Sequence, residues 1–378
     1  MDIEGELTNV VSITDFNDNY RIYHYNKLPD NPNDDLDAYE RGVIRDSKGN
    51  ILCKSFSFTP ELFSDQRQQI NEALGSGRLS DKFKFYKAEE VTLIRAWFHD
   101  NRWHLSTHKK IDAYNSRWSS QKSYGELFCE AIHHYVKNGE LKDKILYELD
   151  EDIMDCFFAT LRTDRVYAFL LRTNNDNRIV CKAPTNPTIY LAGEFDTNTF
   201  KYTEENSSGI SRPDELFFSD IESLFNNLDN TDTDKFQGIM VYSFNEYGEL
   251  EKTIKLTSKN YMDLYHVRGN CPSLIMRYIE IRNDPITFKQ FIELYPEHTD
   301  LFNEIENSVL NLIINTYSLY VQKYINKQYI KFPKHYVLLL KDLHNFYLQD
   351  RKNNKITYDI VDMYINCMSP SRVIELVY

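Results

Sequence analysis

Glycine is scarce in this sequence, which contains 12 glycines in 378 residues. Neither a G-x-G-x-x-G pattern nor a G-x-x-x-x-G-K-S/T pattern is present, which excludes the phosphate-binding loops of Rossmann and P-loop proteins. The six cysteines form no C-x-x-C pair, so the spacing of structural zinc sites is missing and we expect reduced thiols. No apolar run approaches the ~20 residues that span a bilayer, which predicts a protein without membrane association.

Positive charge is in the minority, since the net charge at pH 7 is −13. The chain repels a polyanion at long range, so any contact with nucleic acid requires a local basic site. Aromatic residues make up 14% of the chain and apolar residues 42%, enough to bury one large core or two ordinary ones. The abundance of Asn, Asp, Lys, Ile and Tyr is typical of an AT-rich coding genome, such as that of a large DNA virus or a protist.

The pattern of apolar residues indicates an α+β fold class. Short runs rich in β-branched and aromatic residues predict strands, and turn residues at 46–49, 100–101 and 245–248 predict hairpins. Apolar residues at helical spacing predict helices over 123–137 and 151–161. The segments predicted to contain strands are GVIRDSKGNILCKSFSF, VTLIRAWFHDNRWHLST, RVYAFLLR, NRIVCKA, TIYLAGEF, GIMVYSF and EKTIKLTS.

The period of the apolar pattern changes after about residue 284, which predicts two domains, 1–284 and 285–378. In the second domain, an apolar stripe over 301–312 and helix starts at Pro333 and Thr357 predict a helical structure. In the first domain, the polar segment 204–215 contains glycine and proline and predicts a long loop.

Two cations on neighbouring predicted strands, Arg41 and Lys54, are candidate ligands of nucleotide phosphates. Arg41 precedes Gly42 at the start of one strand, and Lys54 follows Cys53 at the end of the next. Guanidinium and ammonium groups bind phosphate through charge-assisted hydrogen bonds. An Arg-Gly pair in isolation is also typical of an ordinary strand edge.

Lys87 and Glu90 are the candidate catalytic residues, and they lie just before a predicted hairpin. A lysine nucleophile requires a depressed pKa, which neighbouring cations can supply. Taken alone, a lysine at this position is more typical of a solvated side chain that leads into a hairpin. Beyond the hairpin, Lys109, Lys110 and Arg117 lie among aromatic residues. That mixture suits contact with RNA phosphates and bases, and it also suits an exposed charged face.

Gln237, before one predicted strand, and Lys255, within the next, form a third candidate site. Strand alternation places Lys255 with Thr253 and Thr257 on the face opposite Ile254. Taken alone, the glycine that follows Gln237 is typical of a simple turn.

In order and spacing, these residues resemble the collinear motifs of phage-type ATP-dependent RNA ligases, a branch of the lysine-nucleotidyltransferase superfamily. The resemblance covers roughly residues 36–282. It implies a nucleotidyltransferase fold of antiparallel sheets flanked by helices, followed by an all-α C-terminal domain. It also implies ATP and Mg²⁺ as cofactors. The nucleotide-binding residues that the resemblance implies are Arg41, Lys54, Gln237 and Lys255.

In that family, a Lys-x-Asp/Glu-Gly motif supplies the lysine that forms a lysyl-AMP. Two alignments are open here: one matches Glu90 to the acid and places Ala88 at the nucleophile, and the other matches Lys87 to the lysine and loses the glycine. A bulge at the strand end would bring Lys87 into register. Gln237 replaces the expected metal-binding glutamate, and an amide is a poorer ligand for Mg²⁺ than a carboxylate. We therefore assign no residue as a metal ligand.

Two kinds of function follow from the resemblance. The first is an RNA-ligase-like nucleotidyltransferase, active or degenerate, that binds ATP and RNA ends or single-stranded nucleic acid. The alternative is a catalytically inactive ligase-like protein that binds RNA or a nucleotide, or that serves in structural assembly. Capping guanylyltransferases share the superfamily fold, so GTP stays open as the donor. We expect a cytoplasmic protein, placed in the host cytoplasm or the virion if the source is a virus.

Overall fold

The computed structural model describes residues 11–26, 40–138, 152–173, 177–329 and 331–378. The chain divides into two compact units, Met1–Asp263 and Leu264–Tyr378, called the first and second units below. This division lies earlier than the predicted domain boundary after residue 284, because Tyr278, Ile279 and Ile281 pack in the hydrophobic core of the second unit.

The described residues of the first unit form three β-sheets. Sheet A is antiparallel, in the order β1 (Val11–Phe16), β2 (Tyr20–Tyr25), β3 (Arg41–Asp46) and β4 (Ile51–Cys53). Sheet B is antiparallel, in the order β11 (Tyr202–Thr203), β10 (Thr188–Asp196), β9 (Arg165–Arg172), β7 (Thr92–His99) and β8 (Arg102–Ser106). Sheet C has the order β12 (Glu215–Leu216), β6 (Phe83–Ala88), β13 (Gly238–Phe244), β14 (Leu250–Thr257) and β5 (Glu61–Phe63), in which β14 and β5 run parallel.

Short turns connect neighbouring strands where the sequence predicts hairpins. Asp100 and Asn101 connect β7 to β8 with φ angles of 50° and 56°, a left-handed conformation that Asp and Asn tolerate better than most residues. Gly49 connects β3 to β4 and Gly248 connects β13 to β14, with φ angles of 88° and 75°. The predicted hairpins are confirmed.

The helices of the first unit are α1 (Arg67–Leu74), α2 (Tyr124–Lys137), α3 (Ile153–Thr160), α4 (Ile221–Asp229) and, across the unit boundary, α5 (Lys259–Arg268). Helix α2 begins at a capping box, in which the side chains of Ser123 and Glu126 each accept a hydrogen bond from the other's amide. The carboxylates of Asp152 and Asp220 cap α3 and α4 by accepting from the amides of Met154 and Ser223. The helices predicted over 123–137 and 151–161 are confirmed.

One predicted strand, over residues 177–183, is wrong. The amides of Ile179, Val180 and Cys181 all donate to the carboxylate of Glu90, at 2.6, 2.9 and 3.0 Å. Successive amides of a strand point alternately to its two sides, so amides that converge on one acceptor do not form a ladder. The loop predicted over 204–215 is confirmed as far as the start of β12.

The sheets and helices of the first unit form layers around three hydrophobic clusters. One lies between sheet B and helices α2 and α3, around Phe128 and Phe157. Another packs sheet C against α1 and α4, and a third fills the space where the three sheets meet, around Trp97 and Tyr242. Each large side chain buried in these clusters contributes roughly 2–3 kcal/mol. The predicted α+β class, with antiparallel sheets flanked by helices, is confirmed.

The second unit is helical. Its helices are α6 (Leu274–Ile281), α7 (Pro285–Leu294), α8 (Thr299–Tyr320), α9 (Lys334–Gln349), α10 (Tyr358–Asn366) and α11 (Pro370–Val377). Pro333 and Thr357 immediately precede α9 and α10, and Ile305, Val309 and Leu312 of α8 face the core. The predicted all-α C-terminal region is confirmed. None of the described helices is both long and apolar enough to cross a bilayer.

Candidate functional site

A cleft of about 860 Å³ opens between sheets B and C. Tyr86 of β6, Met240 of β13 and Lys255 of β14 are register partners on its floor. Because successive side chains of a strand point to opposite faces, the residues between them, such as Phe85 and Ile239, face the core beneath. The residues of sheet B that line the cleft include Leu93, Leu170 and Ala192.

Arg41 lines this cleft from the start of β3. Its guanidinium donates to Thr59 Oγ1 at 2.7 Å and to the Ser57 carbonyl at 3.3 Å, and Thr59 Oγ1 lies 2.8 Å from Thr253 Oγ1 on the floor. Burial lowers the pKa of Arg41, yet an arginine side chain stays charged in proteins. Among the described residues no carboxylate forms an ion pair with Arg41, so its charge can act on a bound anion.

Lys255 brings a second positive charge to the cleft. Its ammonium lies 2.9 Å from Glu61 Oε1, and 23% of its side chain is exposed. The parallel pairing of β14 with β5 places Glu61 opposite Lys255. A partly exposed ion pair contributes little to stability, so a phosphate group can compete with Glu61 for the ammonium. The structure thus brings Arg41 and Lys255 to the same cleft.

Lys87 is among the residues that line the cleft, but its side chain does not point to the cleft floor. Its ammonium lies 2.7 Å from Asp214 Oδ2 and 5.4 Å from the ring centre of Phe236. Ala88, one residue later, is on the same face of β6 as Tyr86 and is 4% exposed. The register of β6 against β13 is continuous from Phe83 to Ala88, so the bulge that would bring Lys87 into position is missing from this pairing. The Lys87 side chain therefore points away from the cleft floor and toward Asp214, and its predicted role as the nucleophile stays a prediction.

Glu90 organises the backbone near the cleft. Besides the three amides of residues 179–181, it accepts a hydrogen bond from the Tyr261 hydroxyl at 3.0 Å. Oε2 accepts three of these hydrogen bonds and Oε1 accepts one, which fixes the orientation of the carboxylate. The geometry supports a structural role for Glu90, and the predicted catalytic role stays a prediction.

Gln237 borders the cleft and is 9% exposed. Its side-chain amide donates to the Glu89 carbonyl at 2.6 Å, which holds the end of β6 against the start of β13. The nearby carboxylates are engaged: Glu89 lies 2.9 Å from an Arg172 nitrogen, and Glu61 pairs with Lys255. Mg²⁺ prefers carboxylate oxygens as protein ligands, and at position 237 an amide is present instead. Among the described residues no cluster of three or more His, Cys, Asp or Glu could hold a metal, so the donors around Gln237 do not fit a protein-held magnesium ion.

The other predicted cations lie elsewhere. Lys54 follows the last residue of β4 and is not among the residues that line the cleft. Lys109 borders a neighbouring cavity, Lys110 lies 3.3 Å from Asp15, and Arg117 is exposed. Their predicted contacts with RNA stay predictions.

Glu61 and Glu89 bring negative charge to the cleft, and neither was a predicted site residue. Burial raises the pKa of Glu89, and the charge of Arg172 opposes that rise. Adjacent side chains of an extended segment point to opposite faces. The sequence therefore contains a signal that Glu89 and Glu90 point in different directions. Glu61 reaches Lys255 only through the pairing of β5 with β14, which are far apart in the chain, so no local signal identifies it.

Two histidines beside the cleft, His24 and His108, were also absent from the predicted site. Burial and the nearby charges of Lys109, Arg41 and Arg95 lower the pKa of His24 from 6.5 to about 4. Burial, Arg41, Arg95, His24 and Lys109 lower the pKa of His108 well below its usual range. Both imidazoles are therefore neutral near pH 7. The cations around them come from separate strands, Arg41 from β3 and Arg95 from β7, so no local sequence signal identifies the arrangement.

These histidines are expected to make the first unit less stable in mild acid. In the unfolded chain His24 binds a proton below about pH 6.5, whereas in the folded chain it binds one only near pH 4. The free energy of unfolding therefore falls as the pH decreases from about 6.5 toward about 4. The slope is about 1.4 kcal/mol per pH unit for each such histidine. His24→Gln is expected to reduce the slope of the free energy of unfolding against pH by about 1.4 kcal/mol per pH unit between about pH 7 and about pH 5. Denaturant unfolding measures this slope.

His133→Gln, on helix α2, serves as the control and should keep the wild-type slope. Equal slopes for His24→Gln and the wild type would contradict the assignment.

No family model matches the chain. Two curated relatives are immediate-early protein ICP-46 homologs of invertebrate iridescent viruses. The homolog of Invertebrate iridescent virus 6 is 25% identical over 330 residues, which cover 85% of this chain and 70% of the relative. The homolog of Invertebrate iridescent virus 3 is 24% identical over 299 residues, which cover 75% of this chain and 60% of the relative. The chain thus matches only part of the length of each relative.

Solved structures similar to this chain include ATP-dependent ligases. A putative ATP-dependent DNA ligase from Aquifex aeolicus superposes with a TM-score of 0.42 at 9% identity, covering 89% of this chain and 84% of the ligase. An archaeal ATP-dependent RNA ligase superposes with a TM-score of 0.39 at 12% identity, covering 72% of this chain and 63% of the ligase.

Proposed function

We propose that the protein is a ligase-like nucleotide-binding protein that holds ATP, or GTP, non-covalently in the cleft between sheets B and C. The observation that carries the proposal is the direction of β6, which presents Ala88 to the cleft floor and turns Lys87 toward Asp214. Covalent nucleotidyl transfer of the ligase type requires a lysine at the reacting phosphate. A floor with alanine at this position favours binding without that covalent step.

The lining of the cleft suits a nucleotide. Tyr25, Phe56 and Phe58 are among its residues, and aromatic rings stack on nucleobases. Arg41 and Lys255 provide charges for phosphates, to which charge-assisted hydrogen bonds are the strong contacts. The volume of about 860 Å³ is within the usual range of small-molecule sites.

We further propose that a polynucleotide end, of RNA or another single strand, binds beside the nucleotide. Lys109 and Arg117 are both exposed on the first unit, and a net charge of −13 restricts polyanion binding to such local cations. The similarity to iridescent virus proteins supports a viral source and a place in the host cytoplasm or the virion.

Titration of the full chain with ATP and with GTP tests the nucleotide site. We expect saturable binding that Lys255→Ala weakens about 10-fold, because a charge-assisted hydrogen bond is lost. Lys252→Ala is the matched control, since this lysine lies on the same strand and alternates to the other face. Its affinity should stay within about twofold of the wild type. Lack of saturable binding by either nucleotide would contradict the proposal and favour the structural-assembly alternative.

Labelling tests the absence of the covalent step. After incubation with α-labelled ATP and a divalent metal, denaturing electrophoresis is expected to show no labelled chain. A lysine-linked adduct that disappears in Lys87→Ala would contradict the non-covalent proposal and identify the protein as an active nucleotidyltransferase.

A further inference from the structure

A second cavity, of about 510 Å³, adjoins the cleft. The two share Arg41 and His108 in their linings. His24 and Lys109 line the second cavity without lining the cleft. Among the described residues that line it, none is an aspartate or a glutamate. A cavity bounded by cations and imidazoles without a carboxylate has the chemistry of an anion site.

Two buried nitrogen atoms of this cavity's histidines have no hydrogen-bond partner among the described residues. They are Nδ1 of His24 and Nε2 of His108, and His24 is 6% exposed. A buried polar atom without a partner is costly. A neutral imidazole carries one N–H, so each of these atoms can donate to an acceptor in the tautomer that places the proton there. An anion in the cavity would satisfy both atoms at once.

Arg95 holds the two sides of this cavity together. It is fully buried and donates to the Gly42 carbonyl of β3 and, at 2.7 Å, to the Thr107 carbonyl. Thr107 in turn closes the turn that carries His108 and Lys109, since its amide donates to the Lys110 carbonyl at 2.9 Å. The guanidinium of Arg95 adds positive potential behind the histidines. The cavity is therefore organised before any ligand binds.

We propose that this cavity is a second anion site, in which His24, Arg41, His108 and Lys109 hold a terminal phosphate dianion next to the nucleotide cleft. The site extends the proposed function by giving the cleft a separate place for a phosphate. The dianion belongs either to the end of a nucleoside triphosphate or to the 5′ end of a polynucleotide. Both present the same chemistry to the cavity, and Arg41 joins it to the cleft.

Titration with inorganic pyrophosphate tests the site without a nucleoside. We expect saturable binding that Lys109→Ala weakens about 10-fold. Lys110→Ala is the matched control, because this neighbouring lysine pairs with Asp15 and does not line the cavity; its affinity should stay within about twofold of the wild type. Pyrophosphate should also raise the imidazole pKa of His24 and His108, followed by NMR. Equal losses in the two variants, unchanged imidazole titrations, or no saturable binding would overturn the proposal.

Two comparisons identify the source of the phosphate. If the triphosphate fills the cavity, the preference for ATP over AMP disappears in Lys109→Ala. If a polynucleotide end fills it, the preference for a 5′-phosphorylated over a 5′-hydroxyl oligonucleotide disappears instead. Independence of both preferences from Lys109 would overturn the site. Failure of the nucleotide cleft has a different signature, in which AMP and ATP bind no better than pyrophosphate while the effect of Lys109→Ala on pyrophosphate persists.

Discussion

Gly42→Ala is expected to destabilise the first unit by roughly 2–5 kcal/mol. Gly42 has a φ of +69°, and a Cβ added to it would lie 2.7 Å from the His108 carbonyl oxygen and 2.8 Å from the His108 Cα. The left-handed backbone is strained for alanine, and the contacting atoms are backbone atoms of His108, the residue after Thr107, whose carbonyl accepts from Arg95. Strain and overpacking therefore add at this one position. The loss should be measured as the free energy of unfolding in urea.

Gly49→Ala separates the two causes. Gly49 has a φ of +88°, and a Cβ there would meet nothing within 4 Å. Its substitution carries the backbone strain alone, about 1–2 kcal/mol. The three tryptophans, Trp97, Trp103 and Trp118, all lie in the first unit, so tryptophan fluorescence follows the unfolding of that unit selectively. Equal losses for the two variants would show that the close approach of β3 to residue 108 does not exist in solution.

Glu90→Gln is expected to destabilise the first unit by about 3 kcal/mol. The carboxylate of Glu90 accepts from three successive amides and from the Tyr261 hydroxyl. A glutamine amide replaces one accepting oxygen by a donor, so at least one amide N–H faces another donor, and the remaining hydrogen bonds lose the ionic contribution. Tryptophan fluorescence in urea measures this loss as well.

Tyr261→Phe provides the graded comparison for Glu90. It removes one of the four donors and leaves the carboxylate in place, so a loss of about 1 kcal/mol is expected. Glu130→Gln, at an exposed pair with Lys122, should change stability by less than about 0.5 kcal/mol. A loss for Glu90→Gln as small as that for Glu130→Gln would contradict the structural role of Glu90.

The elements that the sequence predicts well are those whose signal is local. The helix after Ser123 is predicted by its apolar spacing, and the structure adds a cap contained within four residues. The turn at Asp100 and Asn101 is predicted by residue types that tolerate its backbone angles. In both cases the stabilising contacts lie within a few residues of one another, so the sequence alone contains the information.

The predictions that differ from the structure depend on distant partners. The apolar run over 177–183 has the composition of a strand, but three of its amides donate to Glu90, which is far away in the chain. The sequence also does not show to which face of β6 the Lys87 side chain points. Strand β6 buries Phe85 in one cluster and Tyr86 in another, so its apolar residues occupy both faces and alternation does not reveal which face borders the cleft. Motif order named Arg41, Lys54 and Lys255 as candidates for one site. Arg41 and Lys255 line the cleft and Lys54 does not, and the binding roles stay predictions.

The continuous register of β6 limits how the chain could acquire a covalent nucleotide chemistry. To bring Lys87 over the floor, β6 would have to slip by one residue against β13, which would turn Phe83 and Phe85 out of their cluster. An amine at position 88 would require no such slip, because the Cβ of Ala88 already points there. A single substitution at position 88 could therefore bring an amine to the cleft floor, whereas bringing the amine of Lys87 there would require a change in the register of β6.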